Sequence, residues 1–264
     1  MDLKLTDKLA LVTGSTAGIG NAIAEALARE GAEVIVNGRY PEKVDVAVKE
    51  LISRTGNSKI LGFCGDLSEA AVAETLHSRY PKVDILINNL GIFEPKAFEE
   101  IPDEDWERFF RVNVLIGVRL ARLYLPAMRA ADWGRIIFIS SESAIQIPAE
   151  MVHYGMTKSA QISVARGIAE SVAGTGITVN SVLPGPTRSR GVIDFVNDLA
   201  KEEGKTFEAV EAAFFRDVRP TSLIKRFATT DEVAALVTYL ASPLASATTG
   251  ALLRVDGGVV KSAF

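Results

Sequence analysis

The stretch TGSTAGIG, residues 13–20, sets glycines at Gly14, Gly18 and Gly20 between an apolar run, KLALV, and an Ala/Leu/Glu-rich run, NAIAEALAREG. So bare a backbone between strand and helix lets a phosphate approach the helix N-terminus, the physics behind the G-x-G-x-x-G turn of dinucleotide-binding folds. Here the spacing is G-x-x-x-G-x-G instead. Gly14 is expected to end the strand, Gly18 to lie near the helix start and Gly20 to let helix and strand pack closely. Backbone N–H groups from Ser15 and Thr16 to Ile19 then face the phosphate. Taken alone, the stretch is also compatible with a glycine turn in any strand–helix unit.

Working outward, short β-branched runs alternate with longer helical patterns. KLALVTG precedes a helix over 19–30, EVIVNG one over 42–54, KILGFC one over 69–79 and VDILINN one over 103–130. GRIIFIS then precedes 152–173, ITVNSVLP precedes 229–241, and ALLRVDGG closes the series. The strand runs are apolar almost throughout, as strands covered on both faces require. The pattern predicts an α/β fold, a doubly wound (Rossmann-type) parallel sheet of about seven strands with helices on both faces. One domain spanning 1–264 accommodates it. Residues 186–225 break the rhythm with helix-like pieces and no strand, and are expected to form an insertion over the substrate. Phe195, Phe207, Phe214 and Phe215 either line a pocket there or pack a helical lid, with packing favoured.

The formal charge of -4, with Lys and Arg scattered, argues against a nucleic-acid surface and for a small-molecule partner. The N-terminal segment lacks the continuous apolar region of a signal peptide, and no apolar run reaches the roughly 18 residues of a membrane span. A cytoplasmic protein without a membrane partner is expected. His77 and His153 stand far apart without a Cys or carboxylate cluster, so no metal site is expected; His77 reads as a surface helix residue. The single cysteine, Cys64, lies in the apolar KILGFC and reads as an inert buried thiol.

Tyr154 and Lys158 occur as YGMTK, four apart on a predicted helix and so on one face. An ammonium beside a phenol favours the phenolate and lowers a reference pKa of about 10 toward neutrality, which suits Tyr154 to acid/base work. Thirteen residues earlier, Ser141 follows the strand GRIIFIS, at the sheet end where such folds place their sites. Its hydroxyl can bond a substrate oxygen as charge develops there. Ser140 points to the opposite side of the strand, and Ser143 is a weaker substitute for Ser141.

With these residues assembled, the sequence resembles the short-chain dehydrogenase/reductase family, in the subgroup whose chain is essentially one catalytic domain. The resemblance rests on TGSTAGIG at 13–20, NNLG at 88–91, Asn113 in RVNV, Ser141, YGMTK at 154–158 and PGPT at 184–187, in family order over nearly the whole chain. It implies that Tyr154 transfers the proton and that Lys158 holds the nicotinamide ribose and tunes the tyrosine. It further implies that Ser141 orients the substrate carbonyl and that Asn113 holds a water linking the lysine to solvent. Asn89 and Gly91 belong to the strand-end turn, where Leu90 departs from the usual NNAG. Pro184, Gly185 and Thr187 are implied to hold the carboxamide and diphosphate side of the cofactor through backbone, and Asp66, followed by Leu67, to contact the adenine.

An NAD site carries a carboxylate near the ribose 2′-OH at the end of the second strand, whereas an Arg accommodates a 2′-phosphate. In EVIVNGRYPEK that place holds Gly38, followed by Arg39, which favours NADP(H) over NAD(H). The expected activity is hydride transfer between NADP(H) and a ketone/secondary-alcohol pair, with Tyr154 as general acid/base. An NAD(H)-dependent enzyme of the same family and a catalytically weak nucleotide sensor are the alternatives. Gln146, Glu150 and His153 are expected to be mostly solvated, though near enough to border the pocket. A homo-oligomer, tetramer or dimer, is implied, with 103–130 and 152–173 as contact candidates.

Overall fold

Seven β-branched runs become seven strands because each has apolar side chains for both sides of a sheet. They are β1 (Leu9–Val12), β2 (Glu33–Gly38), β3 (Ile60–Cys64), β4 (Ile85–Asn88), β5 (Gly134–Ile139), β6 (Ile177–Pro184) and β7 (Leu252–Val255). The computed structural model describes residues 2–263, the side chains of Arg190, Phe195 and Glu203 excepted. All strand pairs are parallel, in the order β3-β2-β1-β4-β5-β6-β7. The order reverses between β1 and β4, which opens a crevice beyond their C-terminal ends.

The helices are α1 (Gly18–Arg29), α2 (Pro41–Thr55), α3 (Ala70–Arg79), α4 (Asp103–Phe110), α5 (Ile116–Ala130), α6 (Val152–Ser171), α7 (Arg190–Glu203), α8 (Phe207–Asp217) and α9 (Thr230–Ala241). Alternation along β1 shows how two layers arise from one strand. Ala10 and Val12 join a core with Ile23 and Leu27 of α1, Leu51 of α2 and Val237 and Leu240 of α9. Leu11 enters the other core with Leu76 of α3, Leu120 and Tyr124 of α5 and Ala165 of α6. The expected doubly wound, single-domain α/β fold is the observed one.

Three expectations need correction. The helix over 103–130 is two helices, α4 and α5, joined by a wider π-type turn at Arg111–Leu115. Such bulges recur at functional sites, and this one carries Asn113. Cys64 is exposed, not buried. It ends β3, an edge strand, with Phe63 taking the core-facing position beside it and the thiol donating to the Arg39 carbonyl (3.4 Å). His77 is half-buried, edge-on to Tyr124 with ring centroids 5.3 Å apart.

Among the described residues, the segment 186–225 supplies helices and no strand, as expected, and folds largely as α7 and α8 around a small core of its own. Val196, Ala200, Val210, Phe215 and Phe227 are buried there, and Phe214, Phe215 and Phe227 stack with ring centroids 5.1 to 5.2 Å apart. Phe207, Phe214 and Phe215 therefore pack this core instead of lining a pocket, while Phe195 lies outside the described side chains.

Candidate active site

The glycine turn leaves β1 with Gly14 and Gly18 both at positive φ, +60° and +61°. Gly20 has a different reason to be glycine: a Cβ there would stand 2.5 Å from Asn89 Nδ2 and 2.6 Å from the Gly14 carbonyl. Asn89 ties the turn down, donating to the carbonyls of Thr13 (2.9 Å) and Gly14 (3.1 Å). Leu90 sits within 3.1 Å of where a Gly14 Cβ would be, so the departure from NNAG is accommodated by a bare glycine opposite. The helix that follows has Ala17 at its N-cap with no side-chain cap, which leaves first-turn N–H groups free to receive an anion.

Ser15 does not join them. Its N–H donates to the Asn37 carbonyl (2.9 Å), its hydroxyl donates to the Val12 carbonyl (2.7 Å) and accepts from Asn37 N–H (3.0 Å). Ser15 thus fastens the turn to β2 through its N–H and its hydroxyl. Thr16 lies over Gly38, where a Cβ would meet its methyl group at 2.5 Å.

At the end of β2 a cavity of about 190 Å³ is lined by Thr16, Gly38, Arg39, Lys43, Asp66 and Leu67 among others. Arg39 and Lys43 both approach the Tyr40 ring, at 5.7 and 5.1 Å from its centroid. Lys43 is a cation that the sequence reading passed over, although its place one turn into α2 was readable. Burial pushes the Asp66 carboxyl up, but the Ser68 backbone and side chain together with the Arg39 charge outweigh it and hold Asp66 below the usual range. At the far end of the crevice, Gly185 lies against the Asp256 backbone, and Thr187 turns its hydroxyl back to the Gly185 carbonyl (2.8 Å). Ser189, at the start of α7, comes within 3.7 Å of the Cβ position of Gly18.

The sheet's other contribution is the end of β5. Ser140 and Ser141 point to opposite sides, as strand alternation requires. Ser140 donates to the Lys158 carbonyl (2.8 Å) and so anchors α6, while Ser141, on the Tyr154 side, donates to Glu142 Oε2 and accepts from Ser143 N–H (3.1 Å). Lys158 lies one turn beyond Tyr154, with Nζ 5.6 Å from the phenol ring centroid. Its Nζ donates to the Ile139 carbonyl (2.9 Å) and to Gln161 Oε1 (3.2 Å), and Gln161 Nε2 donates in turn to the Asn113 carbonyl (2.6 Å). The Asn113 side chain donates to the Ile92 carbonyl (3.0 Å) and Thr157 Oγ1 (2.9 Å) and accepts from Ile92 N–H (2.8 Å). Asn113, Ser141, Tyr154 and Lys158 therefore meet at one point, beside Gly91.

The electrostatics differ from the expected lowering of the phenol. Although part of the Tyr154 ring is accessible, burial of the hydroxyl pushes its pKa up, the Glu142 carboxylate adds to the rise, and the neighbouring Ser141 hydroxyl opposes it. Burial pushes Lys158 down to about 7. Desolvation is the largest cause for both groups.

Three neighbours were misjudged. His153 is fully buried instead of solvated, packed against Phe109 (centroids 4.0 Å) and edge-on to Trp106 (6.0 Å), aromatic partners from α4. Glu142 and Gln161 escaped notice altogether, yet both are buried within the constellation. Gln161 was discoverable, because it shares a helix face with Lys158. Gln146 and Glu150 are exposed, as expected.

A phosphate-accepting turn at the strand-order reversal, with a tyrosine–lysine–serine group at the next strand end, defines a Rossmann-type oxidoreductase. The comparisons agree. The family model described as enoyl-(acyl carrier protein) reductase matches residues 14–260. The uncharacterized oxidoreductase YvaG of Bacillus subtilis is 49% identical over 264 residues, covering 100% of both chains. D-beta-hydroxybutyrate dehydrogenase of Cupriavidus necator is 36% identical over 261 residues, 97% of this chain and 99% of that one. The crystal structure of L-sorbose reductase from Gluconobacter frateurii, complexed with NADPH and L-sorbose, matches with a TM-score of 0.91 at 32% identity, covering 99% of this chain and 100% of that one. The chain belongs to the short-chain dehydrogenase/reductase family and is an NAD(P)-dependent oxidoreductase.

Proposed function

We propose that the protein reduces a ketone to a secondary alcohol with NADPH, Tyr154 passing its proton to the substrate oxygen. The observation that carries this reading is the convergence of Ser141, Tyr154, Lys158 and Asn113 at the C-terminal end of β5. The residues present fit a dinucleotide: Gly14 and Gly18 turn the backbone at positive φ, Gly20 lets that turn pack against Asn89, and the first turn of α1 is uncapped. Gly14, Thr16, Gly18 and Ile19 would hold the diphosphate, Asp66 and Leu67 the adenine, and Asn89, Gly91, Pro184, Gly185 and Thr187 the nicotinamide side. When bound, the nicotinamide supplies the hydride.

Tyr154, raised by burial, keeps its proton at neutral pH and is therefore a donor to a carbonyl oxygen as negative charge grows there. Ser141 holds that oxygen with its hydroxyl. Lys158, braced by Ile139 and Gln161, places positive charge beside the phenolate that remains. Arg39, joined by Lys43, supports NADP over NAD, because two cations and no carboxylate end β2, where Gly38 leaves room for Thr16. The relative complexed with NADPH supports the same choice.

The segment 186–225 closes over the substrate, an assignment supported by Ser189, whose Cβ stands 3.7 Å from where a Cβ on Gly18 would be. The outer faces of α5 and α6 carry Leu125, Val164 and Ile168 along one apolar groove, which supports a homo-oligomer through these helices. No helix among the described residues is long and apolar enough to cross a membrane.

The test is carbonyl-dependent oxidation of NADPH and NADH by the parent, Tyr154→Phe and the Arg39→Ala/Lys43→Ala double variant. The expected result is loss of turnover in Tyr154→Phe with nucleotide binding retained, and an NADPH preference that the double variant erases. Equal turnover in parent and Tyr154→Phe refutes the mechanism. A parent preference for NADH refutes the cofactor assignment.

A further inference from the structure

Ser141 has one hydroxyl proton, and it goes to Glu142 Oε2 at 2.6 Å. Glu142 is 5% exposed, so that oxygen has little access to water as an alternative donor. Its other oxygen lies 3.5 Å from Arg219 Nε, on the segment just beyond α8, and the Arg219 side chain is itself only 11% exposed. Arg219 Nη1 donates to the Val218 carbonyl (3.0 Å) and lies 3.7 Å from Glu150 Oε1. Two carboxylates thus share one guanidinium beside the proton donor, and their local balance is negative. Lys158 does not offset it there, since its ammonium is turned to Ile139 and Gln161.

If a carbonyl oxygen is to be held by Ser141, the Ser141 proton must leave Glu142. A buried carboxylate oxygen stripped of its donor is costly unless another donor replaces it. We propose that Glu142 is a specificity-determining residue that accepts a hydrogen bond from a substrate hydroxyl adjacent to the carbonyl, so that the enzyme selects neutral hydroxyketones over simple ketones and over 2-oxo acids. A hydroxyl on the neighbouring carbon reaches the oxygen that Ser141 releases. A simple ketone leaves it bare, and a carboxylate has no proton to give and adds like charge to the pair. The selection rests on the carbonyl reduction at Tyr154 proposed above.

Three carbonyls of one skeleton separate these cases: 1-hydroxybutan-2-one, butan-2-one and 2-oxobutanoate, each assayed with NADPH. The expected kcat/KM for the hydroxyketone exceeds that for butan-2-one by about tenfold or more, the scale of one unsatisfied buried polar group, with 2-oxobutanoate the poorest. In Glu142→Gln, checked for retained Tm and NADPH binding, the discrimination against 2-oxobutanoate is expected to shrink at least about fivefold, because the charge is gone. Glu142→Ala, which removes the acceptor as well, is expected to abolish the preference for the hydroxyketone over butan-2-one. A purely structural role would lower all three substrates in proportion, and that outcome overturns the proposal. So does a parent enzyme that reduces butan-2-one or 2-oxobutanoate as well as the hydroxyketone, a result independent of how the variants fold. Absence of turnover with all three, or turnover that survives Tyr154→Phe, instead overturns the carbonyl-reduction reading beneath it.

Discussion

Lys158 is 4% exposed, and burial alone pushes its pKa from 10.5 to about 7. If so, folded and unfolded chains differ by one bound proton between these two values. The unfolded lysine is charged there and the folded one is neutral, so the unfolded state binds more protons and stability rises with pH through that window. Below pH 7 both states carry the charge and the desolvation cost is constant. The slope is about 1.4 kcal/mol per pH unit, and the whole shift amounts to at most about 5 kcal/mol. Replacement by the uncharged, similar-sized Met removes this term. It also leaves the Ile139 carbonyl without its donor, a penalty of about 1–3 kcal/mol that does not vary with pH. Urea unfolding of parent and Lys158→Met without added nucleotide, at pH 7.5 and 9.5, isolates the effect as a double difference. Parent stability relative to the variant is expected to rise by about 2–3 kcal/mol between the two conditions. Working below pH 10 keeps Tyr154 out of the comparison, since its raised pKa acts only above the ordinary phenol value, where it makes stability fall. A double difference that is flat or falls with pH refutes the reasoning, because Lys158 would then be as solvated in the folded chain as in the unfolded one.

Other consequences are more local. Gln161→Leu removes an acceptor that favours the Lys158 ammonium, so kcat is expected to fall about tenfold and the alkaline limb of the kcat/KM profile to move to lower pH, with the KM for NADPH nearly unchanged; an unmoved limb refutes the link. In Gly91→Ala the new Cβ would lie 3.3 Å from Lys158 Nζ and 3.4 Å from Asn113 Oδ1, and the displaced lysine is expected to cost roughly tenfold or more in kcat while thermal unfolding changes little. Glu232, the N3 acid of the α9 capping box, is held near a pKa of about 2 by Arg226 and the Thr229 backbone. Its depressed pKa adds stability above about 4.5 that is lost as pH falls toward 2, and Glu232→Gln is expected to lower stability at neutral pH by about 0.5–1 kcal/mol, because the pair is partly exposed.

The strands were legible because each is apolar on both sides, a property of the local sequence. Which strand stands at the sheet edge is not local. That is why Cys64, in a run as apolar as its neighbours, ends exposed on β3 while Val36 in β2 is buried. The break between α4 and α5 was invisible for a related reason, since a π-type turn has no breaker residue to announce it. Among site residues, Tyr154, Lys158 and Ser141 could be read from spacing on a single helix and a single strand end. Glu142 could not, because its partner Arg219 lies seventy-seven residues further along the chain and only the insertion brings it back. His153 was misread likewise: its aromatic neighbours come from α4, and a histidine beside a loop carries no local mark of burial.

The four converging groups are held less by one another than by residues with no chemistry to perform. Ser140, which faces away from the crevice, fixes α6 to β5 through the Lys158 carbonyl. Thr157, between tyrosine and lysine, donates to the Tyr154 carbonyl and accepts from Asn113, so it locks the helix turn to the π-type turn. Gln161 closes the ring from the lysine back to Asn113. Lys158 and Asn113 are thus each fixed from an element other than their own, and Asn113, in the π-type turn at 111–115, offers its carbonyl to Gln161 and its side-chain amide to Ile92 and Thr157. Gln161 is itself buried, so without the Asn113 carbonyl its Nε2 would stand unpaired. The lysine bracing thus depends on a backbone oxygen that the π-type turn carries, set in place by helix packing and not by the reacting groups.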